Sequence, residues 1–343
     1  MTTPEGNPEH SSRVFTKMNE REFIDLLKRR TALSAGRSRP SGLRQGIGDD
    51  CAVLSHTRQK DLLVTTDLFL EAIHFRRSWQ TPESLGHKAL ARGLSDIAAM
   101  GGTPRFVFLS LAVPRNDGKA AIARKTGRRW LDGFLAGFFQ LADRSRVALA
   151  GGDTGSSAAG LIADVVVVGE VTRGQAILRS GAKPGDEIWV SGKLGTAAVG
   201  LDTFESGKKL APSHPAFEAF CYPEPQLRIG SYLRRRKLAT AMLDLSDGLS
   251  IDLARLTEAS GVGAEVDADS LPRLPETSLR NALHGGEDFE LLFTVPAKRS
   301  KQLPRRIGGV QLTRIGRITR GRRLLLVENK HRKPIPVLGF QHF

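Results

Sequence analysis

The chain has 343 residues and a net charge of +15 at pH 7, with 40% hydrophobic and 25% charged residues. That is long enough for two domains of ordinary size and too apolar for a disordered chain. No apolar run approaches the ~20 residues of a membrane-spanning helix, and two cysteines, Cys51 and Cys221, exclude a disulfide scaffold or a cysteine-rich zinc site and predict a reducing cytoplasm.

Met1 to Arg13 is polar and lacks the apolar core of a signal peptide, so residues 1–16 are expected to form a disordered tail. Asn19 with Glu22 three residues on reads as a capping box opening a helix with Phe23, Leu26 and Leu27 on one face. A loop over 34–48 follows. Leu62 to Val64 predicts a buried strand ending in Thr65-Thr66-Asp67, and Pro82 to Met100 a helix closed by Gly101-Gly102. Phe106 to Val113 reads as a strand and Ala120 to Ala142 as a helix. Val147 to Ala150 reads as a short strand entering Gly151-Gly152-Asp153, and Leu161 to Val171 as another strand. Between Thr172 and Asp186 Arg, Gly and Pro become frequent, which places a boundary between a domain over 17–172 and one over 173–343. The second half repeats the mixture. Strands are expected at Glu187 to Ser191 and Phe289 to Val295, helices at Gly195 to Gly207, Pro225 to Arg236 and Leu249 to Ala259, and a proline-containing loop at 208–224. The fold class is therefore α/β, in two α/β domains.

The positive charge is dispersed, at Lys28 to Arg30, Arg234 to Lys237, Arg305-Arg306 and Arg320 to Arg323. Aromatic content is 6% and does not interleave with the basic clusters as single-strand binders require. The clusters read as solvated surface that raises the encounter rate of anionic small substrates. A nucleic-acid-binding role would leave the acidic motifs unexplained, since carboxylates repel phosphate unless metals intervene.

Five segments share one design: Gly48-Asp49-Asp50, Thr65-Thr66-Asp67, Ser95-Asp96, Gly151-Gly152-Asp153 and Asp244-Leu245-Ser246-Asp247-Gly248. Each sets carboxylates beside hydroxyls or glycines at the border of an apolar run. Singly, each is an ordinary turn or helix cap. Together they suit a hard cation such as Mg²⁺, which takes oxygen ligands, with glycines that let a phosphate approach the backbone. The ordinary nucleotide loop is missing; Ser191-Gly192-Lys193-Leu194-Gly195 lacks its upstream glycine and its Ser/Thr and reads as a strand-to-helix turn.

Read in order, Gly46 to Val53, Thr65-Thr66-Asp67 with Glu71 and His74-Phe75, and Lys88 to Gly101 resemble thiamine-phosphate kinase. So do Gly151 to Thr154, Asp244 to Leu249, Gly285-Gly286-Glu287-Asp288-Phe289-Glu290-Leu291 and Gly339 to Phe343. The resemblance runs over about residues 18 to 343. It implies a homodimer whose N-terminal domains pair their sheets into a barrel-like interface, with a C-terminal α/β domain covering ATP. It implies Mg²⁺ ligation by Asp49, Thr65, Thr66, Asp67, Asp96, Asp153, Asp244 and Asp247. It implies ATP contacts by Gly152, Asp153, Arg179 and Ser246, and thiamine phosphate contacts by His74, Glu287 and Phe340. Selenophosphate synthetase and a hydrogenase maturation enzyme share the wider superfamily, but the first calls for a reactive N-terminal cysteine and the second for a C-terminal one. One departure is Gly93, where the family often has Asn two residues before Ser-Asp.

The implied reaction is ATP + thiamine phosphate → ADP + thiamine diphosphate. Its nucleophile is a phosphate oxygen, mostly deprotonated at pH 7 because its second pKa is near ~6. A general base is then unnecessary, and none is assigned. The obstacle is repulsion between two anions, which bound metals and a cation such as Arg179 would offset. Glu287 would pair with the thiazolium cation and Phe340 offer it a ring face.

Overall fold

A computed structural model describes residues 59–114 and 121–340, together with 26, 29–31, 43–45, 53–54 and 57. The expected loop over 34–48, the Gly48-Asp49-Asp50 motif, Cys51 and the tail lie wholly or largely outside the described residues. Of the expected first helix, Leu26 and Arg29 to Thr31 are helical. The chain divides into two compact units. The first comprises residues 1–58, 64–93 and 104–168, and the second residues 59–63, 94–103 and 169–343.

The first half contains β1 (Leu43–Gln45), β2 (Val53–Leu54), β3 (Lys60–Leu70), α1 (Pro82–Ala99), β4 (Thr103–Pro114), α2 (Ala121–Ser145), β5 (Ala148–Ser157) and β6 (Ile162–Thr172). β1 and β2 pair by themselves, and a four-stranded sheet follows the order β3-β6-β4-β5. Phe106, Ala150 and Val168 form one apolar cluster on it. The helices approach closely where glycines stand on both. A Cβ on Gly86 would overlap the carbonyl of Phe134, and one on Gly137 the carbonyl of Glu83. Gly93 has a packing reason of its own, since a Cβ there would lie 2.8 Å from a methyl of Val167.

The second half contains β7 (Asp186–Ser191), α3 (Thr196–Glu205), α4 (Pro215–Cys221), α5 (Leu227–Arg235), β8 (Ala241–Leu245), α6 (Leu249–Ser260), β9 (Gly263–Asp267), α7 (Leu279–His284), β10 (Glu290–Pro296), β11 (Arg306–Ile307), β12 (Val310–Thr319), β13 (Leu324–Glu328) and β14 (His331–Pro334). Its sheet has eight strands, in the order β14-β13-β9-β12-β7-β10-β8 with β11 beside β12. Alternation along the strands feeds two cores. Ile188, Val190, Leu243, Leu245 and Leu292 enter one, while Trp189, Met242, Leu291, Phe293 and Val295 pack in the other. A strand covered on both faces reads as a continuous apolar run, as Leu291 to Val295 does.

Sequence and structure differ at several places. The strand β1 stands within the expected loop over 34–48, and of the expected buried run Leu62 to Val64 only Leu63 is buried, because alternate side chains of a strand face opposite ways. Thr65-Thr66-Asp67 lies inside β3, which continues to Leu70, and Gly151-Gly152-Asp153 lies inside β5, which continues to Ser157. Polar and glycine-rich stretches look like strand ends in sequence, yet ladder pairing carries the strands through them. The expected loop over 208–224 contains α4. Pro215 stands at its first turn, where a missing N–H costs nothing, and the His214 ring accepts from the N–H of Ala216.

Candidate functional site

In the first unit, β3 displays its predicted ligands on alternate faces. Thr65 and Asp67 share one face, and Thr66 points from the other. The Asp67 carboxylate meets the guanidinium of Arg92 at 2.9 Å, and Arg92 also lies 5.8 Å from the ring centre of Phe69. The Thr66 hydroxyl donates to Asp164 at 2.7 Å. His74 is buried; its Nδ1 accepts from the N–H of Leu70 at 3.0 Å and its ring stacks on Phe69. Glu71 anchors the same turn, accepting from Arg77 at 2.6 Å and from the N–H of Leu161 at 2.8 Å. Gly152 and Asp153 are exposed on β5. A Cβ on Gly152 would overlap the Leu109 carbonyl, while the Asp153 carboxylate accepts from the N–H of Thr154 at 2.8 Å. The strand order sets β3 and β5 on opposite edges of the sheet, three inter-strand spacings or ~14 Å apart. The sheet therefore does not bring Asp67 and Asp153 together.

The second unit gathers its predicted residues around the end of β8. Asp244 is buried, and its carboxylate accepts from Ser95 at 2.8 Å, with Asp96 half-buried next along α1. Ser246, Asp247 and Gly248 turn from β8 into α6. The N–H of Glu287 donates to the Ser246 carbonyl at 2.7 Å, that of Phe289 to Leu245 at 2.8 Å, and that of Phe340 to Asp247 at 3.2 Å. Glu287 (φ 67) and Phe289 (φ 48) hold left-handed conformations rare for side-chain-bearing residues. The Gly-Glu-Asp-Phe-Glu segment is thus wrapped tightly onto the Ser-Asp-Gly turn, and Phe340 is laid beside it. Arg179 is not drawn into this group. It is exposed, and its carbonyl accepts from Ser260 at the far end of α6.

Three further carboxylates are anchored around this turn, Asp252 not singled out in the sequence and Asp288 and Glu290 read there only as part of a motif. Asp252 accepts the N–H groups of Asp247 and Gly248, both at 3.1 Å. Arg255 bridges Asp247 at 2.5 Å and Asp252 at 2.8 Å. Burial, and then the charge of Asp247, push Asp252 up to about 6 against the pull of those donors. Asp288 accepts from the N–H groups of Gly195 at 2.5 Å and Ala197 at 3.1 Å, anchoring the start of α3, and burial raises it to about 7. Glu290 accepts from the Ser191 hydroxyl, and burial raises it to about 8. The available signal was position: Asp252 sits in the first turn of a helix, and Asp288 and Glu290 flank a buried aromatic at a strand start.

The predicted donor set consists of carboxylate and hydroxyl oxygens without thiol or imidazole, which fits a hard cation. Among the described residues, no three of His, Cys, Asp or Glu gather at metal-binding distance. No helix among them is long and apolar enough to cross a membrane.

The sequence matches two family models, the AIR synthase related protein N-terminal domain over residues 48–171 and its C-terminal domain over residues 183–327. It is 37% identical to thiamine-monophosphate kinase of Salmonella typhimurium, covering 82% of this chain and 86% of that protein. It is 34% identical to the Bacillus subtilis enzyme of the same name, covering 88% and 94%. Among solved structures, the thiamine-monophosphate kinase of Stenotrophomonas maltophilia K279a superposes with a TM-score of 0.74 at 35% identity, covering 89% and 95%. AaThiL complexed with AMPPCP and TMP superposes with a TM-score of 0.71 at 29% identity, covering 95% and 98%. The hydrogenase maturation protein HypE in complex with ATP, at 18% identity and a TM-score of 0.75, shares the fold.

Proposed function

The chain belongs to the thiamine-monophosphate kinase family, and from that premise we propose that it moves a phosphoryl group from ATP to thiamine monophosphate, forming thiamine diphosphate with the aid of several Mg²⁺ ions. The observation that carries the site assignment is the convergence of Asp244, Ser246, Asp247, Glu287 and Phe340 on the turn that ends β8. Such a turn presents carboxylates to metal, backbone to phosphate, and an acid with an aromatic ring to a cationic heterocycle. Because the acceptor phosphate is already an anion at neutral pH, the protein's task is alignment and charge neutralisation.

Mg²⁺, when bound, would supply neutralisation of phosphate charge. Asp67, Asp96, Asp153, Asp244 and Asp247, with Asp49, Thr65 and Thr66, are its proposed ligands. Arg92 and Ser95 hold Asp67 and Asp244 in fixed orientations before any metal arrives. Gly152 and Ser246 would approach ATP through the backbone and a hydroxyl. Arg179 is assigned to its phosphates by family resemblance. His74, locked by Leu70 and Phe69, would act on thiamine monophosphate from a fixed turn. The working protein is proposed to be a cytoplasmic homodimer. Leu62, Val64 and Leu68 are each more than half exposed on one face of β3, an apolar row on an edge strand that a second copy would cover.

The test is an acceptor comparison. Purified protein with ATP and Mg²⁺ is expected to convert thiamine monophosphate and leave free thiamine untouched. Asp67→Asn is expected to lower kcat/KM at least ~100-fold, the scale of several kcal/mol for metal-assisted charge stabilisation, with an unchanged melting temperature. Turnover of thiamine alone would refute the acceptor, and near-normal activity of Asp67→Asn would refute its metal role.

A further inference from the structure

A cavity in the second unit has no part in the proposed reaction. It has a volume of about 800 Å³ and lies between the C-terminal half of α6 and the β13–β14 hairpin. That size suits a small organic ligand. The cavity begins at Ala254 and reaches Glu258, which stands ~16 Å along the helix axis from Asp247. It is therefore built on the opposite end of α6 from the Ser-Asp-Gly turn.

Its walls differ in chemistry. Arg322 and Arg323, in the turn between β12 and β13, and Arg332 on β14 supply three guanidinium groups. Among the described residues, no carboxylate lies within ion-pair distance of Arg322 or Arg323, whereas Arg332 is held by Glu265 at 2.8 Å. The fixed arginine leaves its terminal nitrogens for a ligand, and the two exposed ones have no charge partner to give up. Val262, Leu324, Ile335 and Val337 line an apolar wall, of which Val337 is 47% exposed. Arginine forks match phosphate oxygens in shape and charge, and three of them favour a polyanion over a single carboxylate.

We propose that this pocket binds an organic phosphate, with its phosphates on Arg322, Arg323 and Arg332 and its ring against Val262, Leu324, Ile335 and Val337. The inference is independent of the catalytic assignment. It gives part of the large positive charge a specific task.

Equilibrium dialysis of the full chain against labelled ADP, without divalent metal, reads the site as a difference in stoichiometry. Wild type is expected to bind one more equivalent than Arg322→Glu/Arg323→Glu, whichever other sites ADP fills. Both positions are exposed, so the fold tolerates the reversal. Val337→Trp, which fills the cavity without altering charge, is expected to lose the same equivalent. ADP is expected to bind at least tenfold more tightly than inorganic pyrophosphate. Equal stoichiometry in wild type and the arginine variant would overturn the proposal. Loss in the arginine variant with full retention in Val337→Trp would reduce the pocket to general surface attraction and overturn it too. Equal affinity for pyrophosphate would remove the role of the apolar wall.

Discussion

The two sheets treat their acidic residues in opposite ways. In the four-stranded sheet, Thr66, Asp67 and Asp153 stand on edge strands, the first two held by one side chain each and Asp153 by the neighbouring N–H of Thr154, and β3 exposes an apolar row. In the eight-stranded sheet, both faces are covered, and Ser246, Asp247, Glu287 and Phe340 are joined by main-chain hydrogen bonds around one turn. The first arrangement leaves ligands displayed and dependent on what closes over them. The second is preorganised by the backbone, so its geometry costs little to complete when a substrate arrives.

The contrast can be broken most severely at the helix crossing behind the open sheet. Gly137→Val would drive a side chain into the Glu83 backbone. It is expected to destabilise the protein by ~3 kcal/mol or more, the upper range for overpacking, measured as the urea midpoint of the first transition.

A smaller effect tests the preorganised turn. The Ser250 hydroxyl donates to the Leu338 carbonyl and accepts from the N–H of Leu338 at 3.2 Å. His284 Nδ1, at 2.8 Å, must then be the protonated nitrogen, since the hydroxyl has only one hydrogen to give. Burial holds the His284 imidazole below its ordinary value, which keeps this network neutral. Ser250→Ala should release Leu338 and Phe340. The expected outcome is a ~10-fold rise in KM for thiamine monophosphate, about one hydrogen bond's worth, with kcat within about twofold. Steady-state kinetics with saturating ATP would check it.

The smallest expected effect concerns pH. Glu290 titrates at about 8 and Asp288 at about 7, both raised above ordinary carboxyl values. Folding therefore favours their protonated forms. Their stabilisation is complete below the unfolded values and is lost as pH rises toward 7 and 8. The melting temperature of wild type should fall between pH 5 and 9 on this account, and Glu290→Gln should flatten that fall by ~3 °C or more. An equally steep fall in the variant would show that Glu290 does not carry the dependence.

Much of this was legible in the sequence. The apolar runs at Phe106 to Val113, Leu161 to Val171 and Phe289 to Val295 are strands because buried β-branched and aromatic residues leave few alternatives. The Ser-Asp-Gly and Gly-Glu-Asp-Phe-Glu segments were visible as motifs, although their contact, 41 residues apart from Ser246 to Glu287, depends on β8 pairing with β10. The β9 and β12 to β14 strands were not foreseen. Their polar outward faces, as in Arg314 and Arg317 paired with Glu187 and Glu265, hide the period of the buried residues. Asp288 was read only as part of a motif, because the N–H groups it accepts belong to a helix start 93 residues earlier. Short-range patterns carry strands and motifs; long-range pairing decides which carboxylates are buried.

The left-handed backbone at Glu287 has a consequence for anyone altering this protein. A residue with a side chain spends about 1–2 kcal/mol to hold that conformation, and glycine would adopt it without strain. Selection for heat resistance alone would therefore pull position 287 toward glycine and erase the carboxylate. Screens that reward stability and screens that reward turnover should diverge here, and a library built on this chain keeps its acid only if activity is part of what is scored.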